Sequence, residues 1–364
     1  MTATIGLDIG GTKIAAGLVS ADGEIIAEAR RDTPAHDPDR IARDVADLVL
    51  ELAEGTDQAV VGVGVACAGF VNRTGSHVLF APNLAWRDEP LKQRLEALVD
   101  YPVTIENDAN AAAWGEFRFG AAREADDMVL ITVGTGIGGG IVNDSRLLRG
   151  AYGVGGELGH MRVVPNGIRC GCGNRGCWEQ YGSGNALLRE AREVVASGTP
   201  HGAALSDACG GDPARLRGRD VTEVARAGDP AAVELLADLG TWVGEGAASV
   251  AAILDPELIV IGGGVAEAGD LLLEPIRAAY ARQLTGRGHR PMARIVPATL
   301  GNDAGLIGAA ALAAEGVGEA DVPERADTAG AVGTGGAGET VGAGETAGAV
   351  GRAVTAGRAE AAGS

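Results

Sequence analysis

Three of the five cysteines, Cys170, Cys172 and Cys177, fall within eight residues, and His160 precedes the first of them by ten. Thiols and an imidazole so spaced can form a disulfide staple, a redox switch or a metal clip. Glu157 and Glu179 flank the group. A second candidate is "VTIENDANAAAWGEF", which reads as a strand running into an alanine-rich helix with Asn107 and Asp108 at the turn. A carboxylate there is stabilised as the anion by the free N–H groups of the helix. Asp108 can therefore be a general base, and either residue can equally be a plain helix cap.

Three glycine-rich stretches suit a phosphate or a purine. In "LDIGGTK", Gly10 and Gly11 allow a sharp turn, Thr12 adds a hydroxyl and Lys13 a charge. Asp8, at the end of the preceding strand, is placed to hold magnesium, directly or through water. In "VGTGIGGG", Gly134, Thr135, Gly136, Gly138 and Gly139 offer amides in a concave turn of the kind that binds anions. No Gly-Lys-Ser/Thr follows, so it is not a Walker A loop, and a strand rather than a helix comes next, so it is not a dinucleotide fingerprint. Gly262, Gly263 and Gly264 end the apolar run "ELIVIGGG", where a flat purine can approach the backbone. Together the three stretches predict a nucleotide site.

The elements that must position these residues read as α/β. "TIGLDIGGTKIAAGLVS" is a strand, a glycine turn and a strand, and "DMVLITVGTGIGGGIVNDSRLL" repeats the plan about 120 residues later. The duplication predicts two related sheets facing each other. Helical periodicity marks "PDRIARDVADLVLELAEG", "ANAAAWGEFRFGAA", "DPAAVELLADLGTWVGEGAASVAAIL" and "EAGDLLLEPIRAAYARQL". The reading gives a small α/β domain over 1–118, to which a helix at 301–315 returns, and a large α/β domain over 119–300. Residues 316–364, with a loose "GAGET" repeat, read as a disordered low-complexity tail.

The chain has 364 residues, enough for two full cores. Apolar residues make up 46% and aromatics 3%, so Val, Leu, Ile and Ala must fill those cores. A net charge of −19 argues against nucleic acid and anionic membrane as partners. No secretory signal or bilayer-long apolar run is seen, so a cytoplasmic protein is expected, where a structural disulfide is disfavoured.

"LDIGGTK", "IENDANAAAWGE", "VGTGIGGG", "GELGH" and "CGCGNRGCWEQYGSG" occur in the order and spacing of the ROK family (repressors, open reading frames, kinases). The chain resembles that family over about residues 4–315, and most of all its bacterial ATP-dependent glucokinase branch. The resemblance implies a two-domain hexokinase–actin-like (ribonuclease H-like) ATPase fold with the active site in the interdomain cleft. It implies ATP and D-glucose as substrates, Asp108 as base on the sugar 6-hydroxyl, and Asn107, Glu157, His160 and Glu179 on the other hydroxyls, with Gly69 and Asn83 also placed as sugar contacts. Mg²⁺ would bridge the ATP phosphates near Asp8. His160, Cys170, Cys172 and Cys177 match the family's zinc ligands. Three thiolates and an imidazole suit tetrahedral Zn²⁺, and the closed shell marks a structural site in the loop 160–177. Cys67 and Cys209 stand apart as ordinary small residues. A homodimer or homotetramer is implied.

Other readings keep the fold. They are a kinase for N-acetylmannosamine, N-acetylglucosamine, mannose or fructose, a polyphosphate-using glucokinase, or a sugar-responsive transcriptional regulator. The regulators carry a helix-turn-helix before the first glycine loop, for which the four residues before Ile5 are expected to leave no room in this sequence.

Overall fold

The computed structural model describes residues 2–316. The first half runs β1 (Thr2–Ile9), β2 (Lys13–Ser20), β3 (Ile25–Asp32), α1 (Pro38–Glu54) and β4 (Ala59–Cys67), then the short strands β5 (Phe70–Val71), β6 (Val78–Phe80) and β7 (Arg87–Glu89), then α2 (Leu91–Glu96), β8 (Val103–Asn107) and α3 (Asp108–Arg118). The second half runs β9 (Met128–Val133), β10 (Ile137–Asn143), β11 (Arg146–Leu147), α4 (Glu179–Gly182), α5 (Gly184–Ala196), α6 (Ala203–Ala208), α7 (Gly218–Arg226), α8 (Pro230–Leu254), β12 (Leu258–Gly262), α9 (Asp270–Gln283), β13 (Arg294–Pro297) and α10 (Ala304–Gly316).

The repeat seen in the sequence is a repeat of topology. One five-stranded sheet has the order β3-β2-β1-β4-β8, the other β11-β10-β9-β12-β13. In each, the first three strands are antiparallel and the last two run parallel to the central one. Each sheet covers its own apolar core. Ile5, Leu7, Ile41, Leu48 and Val65 pack together in the first, and Val129, Ile131, Leu236, Val243 and Ile259 in the second. The predicted helices appear as α1, α3, α8 and α9, while "GVAEA" after Gly263 forms a 3-10 turn rather than the start of an α-helix.

The helices that follow the two last strands trade places. α3 leaves β8 and packs on β9 and β10 of the other sheet, while α10 leaves β13 and packs on β1 and β4 of the first. The two helices also cross each other. This is possible because α10, AGLIGAAALAAEG, is mostly glycine and alanine, with Leu306, Ile307 and Leu312 as its large buried side chains. A β-carbon on Gly6 or Gly64 would overlap the Leu306 or Ala309 carbonyl oxygen, and one on Gly308 would overlap that of Ala111. On Gly115 it would stand 2.6 Å from the Ala304 oxygen, and on Gly140 2.7 Å from that of Ala109. Gly316, read from sequence as the start of the tail, is the last residue of α10, and the rest of that segment lies outside the described residues. Among the described residues no helix is long and apolar enough to cross a membrane.

Gly308→Val is expected to cost at least about 3 kcal/mol or to prevent folding, because the atoms nearest an added β-carbon are backbone of Ala111 and Gly115, which cannot move aside. Gly218→Ala, where nothing lies within 4 Å, should stay within about 0.5 kcal/mol of the parent by urea denaturation.

Candidate active site

The site starts where β8 becomes α3. The Asn107 side chain caps the helix, its Oδ1 accepting from Ala109 N and Asn110 N, both at 3.0 Å. Its Nδ2 donates to the Gly69 carbonyl (3.1 Å) and to Asp108 Oδ1 (3.0 Å). All four hydrogen-bonding positions of the carboxamide are thereby used. Asp108 Oδ1 also accepts from Ala109 N at 2.9 Å, so Oδ2 is the oxygen left for a ligand. Asn107 is therefore the helix cap, and it also orients Asp108.

Burial pushes the Asp108 carboxyl above the ordinary aspartate range, against the bonds from Ala109 and Asn107. Asp8, at the end of β1, is pushed up to about 6 by burial and then by the Asp108 charge. Gly305 at the start of α10 packs beside both residues, where a β-carbon would lie 3.7 Å from Asp8 Oδ2 and 3.8 Å from the Asp108 carbonyl oxygen. A divalent cation at Asp8 would relieve that strain, which is chemistry consistent with magnesium.

The cysteine loop is a small ribbon. Arg162 bridges Cys177, Arg169 bridges Arg175, and Cys170 N donates to Asn174 O at 2.9 Å. Trp178, fully buried, plugs it into the second core and donates from Nε1 to the Trp242 carbonyl at 2.8 Å. The ribbon gathers His160, Cys170, Cys172 and Cys177 so that their ligand atoms all lie within 4.8 Å of one another. Cys172 Sγ is 3.6 Å from Cys177 Sγ, and Cys170 Sγ is 3.6 Å from His160 Nδ1. A disulfide needs about 2.05 Å, whereas sulfurs on a tetrahedral zinc stand about 3.7 Å apart. The four side chains fit the zinc set. All five cysteines are unpaired.

His160 turns Nδ1 toward this set and Nε2 toward Glu157 Oε2, 4.0 Å away. Glu179 touches the set from the other side, with Oε1 3.0 Å from Cys170 Sγ and 3.7 Å from His160 Nδ1. Partial burial pushes Glu157 up, His160 opposes this, and Asp108 and Glu179 add to it. Glu157, His160 and Glu179 thus form one cluster, within electrostatic reach of Asp108. The cysteine loop is the element that gathers them.

The glycine stretches lie around this centre. In the first hairpin, Thr33 Oγ1 donates to Gly10 O (2.8 Å) and Thr33 N to Thr12 O (3.0 Å), leaving Thr12 and Lys13 exposed. A β-carbon on Gly11 would stand 3.0 Å from that of Asn83, so exposed Asn83 lies at this hairpin. Gly69 is buried, holding Asn107. In the second hairpin, a β-carbon on Gly136 would lie 2.6 Å from Glu179 Oε2, so any larger residue would push the Glu179 carboxylate from its position. Gly134 O accepts from Gly184 N at 2.8 Å, and Gly138 N donates to Thr132 Oγ1 at 3.1 Å. A β-carbon on Gly139 would meet the Gly156 carbonyl at 2.5 Å. Thr135 sits at the tip. Gly262 ends β12, and Gly263, at φ +85°, is pressed on the Val133 backbone beside Gly264. The second and third stretches therefore meet at the end of β9, on the sheet opposite the first.

Three residues of this region escaped the sequence reading. Glu106 and Asn110 flank the Asn107–Asp108 pair, and Arg149 reaches Glu106 from the other half. Cys67, read as an ordinary small residue, lies fully buried beneath them with Sγ 3.7 Å from the Glu106 carbonyl. Glu106 and Asn110 stood inside the quoted "IENDAN". Arg149 had no local signal.

Two like sheets with exchanged helices, and carboxylates between them, define a two-domain α/β protein of the hexokinase–actin fold. The chain belongs to the ROK family, whose family model matches residues 4–316. It is 48% identical over 316 residues to a glucokinase of Streptomyces coelicolor, covering 86% of this chain and 98% of that one. A solved ROK family glucokinase from Streptomyces griseus, in complex with glucose and AMPPNP, is 47% identical with a TM-score of 0.78, covering 86% and 100% of the two chains. The ROK hexokinase of Thermus thermophilus is 36% identical with a TM-score of 0.73, over 87% and 99%.

Protein as purified should hold one zinc per chain by elemental analysis. Removing it with a strong chelator is expected to raise hydrogen exchange across 161–182 while leaving β1 and β4 protected. Unchanged exchange in verified metal-free protein would contradict the structural role.

Asp8 supplies a pH test. Its folded-state value of about 6 lies above the 3.8 of a free aspartate. Its neutral form is thus favoured in the fold, and stability falls as pH rises from 3.8 through about 6, by up to about 3 kcal/mol. Without divalent cations, Asp8→Asn should melt higher than the parent at pH 7, and the gap should shrink toward pH 4. A gap that does not change with pH would contradict this.

Proposed function

We propose that this chain is an ATP-dependent glucokinase, which transfers the γ-phosphoryl group of ATP to the 6-hydroxyl of D-glucose. The observation that carries the reading is the placement of one unengaged carboxylate oxygen, Asp108 Oδ2, within electrostatic reach of the Glu157–His160–Glu179 cluster. That cluster is rich in acceptors for sugar hydroxyls. The solved relative that holds glucose and AMPPNP supports the choice of sugar and donor.

In this reading the glucose 6-hydroxyl attacks the γ-phosphorus. The new O–P bond forms as the bond to the β–γ bridging oxygen breaks, and ADP leaves with that electron pair. The proton passes to Asp108 Oδ2. Phosphoryl transfer has a loose transition state, so a carboxylate that accepts the proton late suffices. Asn107 fixes the base through Oδ1. Glu157, His160 Nε2 and Glu179 take the other hydroxyls, with Gly69 and Asn83 at the far side. A site built to hydrogen-bond hydroxyls rejects analogues that lack them.

The two glycine hairpins hold the phosphates and Gly262–Gly264 lie along the purine. Asp8 would hold Mg²⁺, which supplies charge neutralisation on the phosphates. His160, Cys170, Cys172 and Cys177 would hold Zn²⁺, which orders the sugar loop. The domains proposed to close on the sugar are 1–118 with 301–315, and 119–300. Closure excludes water that would otherwise hydrolyse ATP. The enzyme is placed in the cytoplasm as a homodimer or homotetramer on the family resemblance.

A coupled assay with glucose, mannose, fructose, N-acetylglucosamine and N-acetylmannosamine, each with ATP and with polyphosphate, tests the reading. Glucose with ATP should give the highest kcat/KM. Asp108→Ala should lower kcat by about 10²–10⁴-fold with glucose binding largely kept. Preference for another sugar or for polyphosphate would replace the substrate assignment, and near-parent turnover in Asp108→Ala would remove the base.

A further inference from the structure

Glu106 is a carboxylate at the end of β8 with only 2% of its surface exposed. Such a group must be paired, because its ionised form is costly in a dry interior. Its Oε2 accepts from Arg149 Nε at 2.6 Å. Its Oε1 accepts from Asn107 N (3.0 Å) and Asn110 Nδ2 (3.1 Å). Glu106 therefore grips the first turn of α3 on both sides of Asp108, and its one cationic partner comes from the other half of the molecule, just after β11.

Arg149 begins the loop that ends in Glu157. Its carbonyl accepts from Gly155 N at 2.9 Å, closing residues 149–155 into a tight ring. Gly153, at φ +88°, packs on the β5 turn, where a β-carbon would lie 2.5 Å from Arg73 N. Gly156, at φ +91°, then turns the chain into Glu157. Asn110 is 1% exposed, and its Oδ1 has no hydrogen-bond partner. That oxygen lies 3.6 Å from where a β-carbon of Gly156 would be. One buried network thus runs from the helix start that bears Asp108 to the loop that bears Glu157.

We propose that Arg149, acting through Glu106 and Asn110, is a positioning residue that sets Glu157 in register with Asp108 for the sugar. Arg149 touches neither reacting atom. It fixes the loop base on one half to the helix start on the other, so that a hydroxyl held by Glu157 and the hydroxyl deprotonated by Asp108 belong to one correctly placed ring. Gly139 of the second hairpin packs on Gly156, yet the hydrogen bonds of Glu106 go to Arg149, Asn107 and Asn110 and to none of the nucleotide loops, so loss of the network should be felt on the sugar side. This rests on the glucokinase reading.

The test compares Arg149→Met, Arg149→Lys and the double variant Arg149→Met/Glu106→Gln in the full-length protein. In Arg149→Met, kcat/KM for glucose should fall about 10²-fold, a loss typical of a reactant misplaced by about 1 Å, with the KM for ATP within about twofold of the parent. Arg149→Lys, which keeps the charge, should recover about tenfold of that loss. The double variant leaves no uncompensated charge, so its melting temperature should return toward the parent while its glucose kcat/KM stays low. Full recovery of glucose kcat/KM in the double variant would show a purely structural pair and overturn the proposal. So would equal rises in both KM values, or an unaffected Arg149→Met. Parent protein that phosphorylates no sugar would sink the activity reading alone. Hydrogen exchange of residues 150–157 then decides the positioning claim. Arg149→Met should speed it about tenfold, and unchanged exchange would overturn it.

Discussion

The crossing of α3 and α10 is a contact of backbone on backbone, made where a β-carbon on Gly308 would occupy the space of the Ala111 carbonyl oxygen. Each helix springs from the edge strand of one sheet and lies on the other sheet. Neither half can therefore place its own helix without its partner. The start of each exchanged helix falls at the boundary, and the start of α10 at Gly305 stands beside both Asp8 and Asp108. The small residues of α10 bring the carboxylates together by removing the side chains that would hold the layers apart.

Charge within the cleft is organised around that contact. Asp8, Asp108, Glu157 and Glu179 are anions of one neighbourhood, and Asp8, Asp108 and Glu157 are all held above their ordinary range, mainly by burial. Such a cluster is unstable by itself and is suited to receiving cations and hydroxyl donors. The permanent cation among these residues is Arg149, which is spent on Glu106 rather than on any of the four. The proposed zinc clip answers a separate need. A loop of glycines and exposed residues has no apolar core of its own, so a metal and the Trp178 plug supply the order that packing cannot.

The parts legible in the sequence were those with a local signature. The strand–glycine–strand repeat gave both central hairpins because period-two apolar runs and glycine turns are contiguous signals. The cysteine and histidine spacing gave four ligand atoms that do converge. Contacts made at long range were not legible. Gly6, Gly64 and Gly140 sit inside strands, where a glycine reads as weak strand sequence, and only the folded packing shows a helix backbone above each. Arg149 meets Glu106 across 43 residues of chain, with nothing in its neighbours to mark it. Which of Asn107 and Asp108 caps α3 was also not legible, since both residue types cap helices. The small sheet β5-β6-β7 has strands of two or three residues, too short to carry a period.

In the proposed reaction this packing leaves Asp108 Oδ2, and not Oδ1 or another carboxylate, to meet the reacting hydroxyl. A crystal structure with glucose and a non-hydrolysable ATP analogue measures this most directly. The sugar O6 is expected within about 3 Å of Asp108 Oδ2, with Oδ1 still bonded to Asn107 and Ala109. A sugar whose O6 rests on Glu157 or Glu179, with Asp108 more than about 5 Å away, would contradict it.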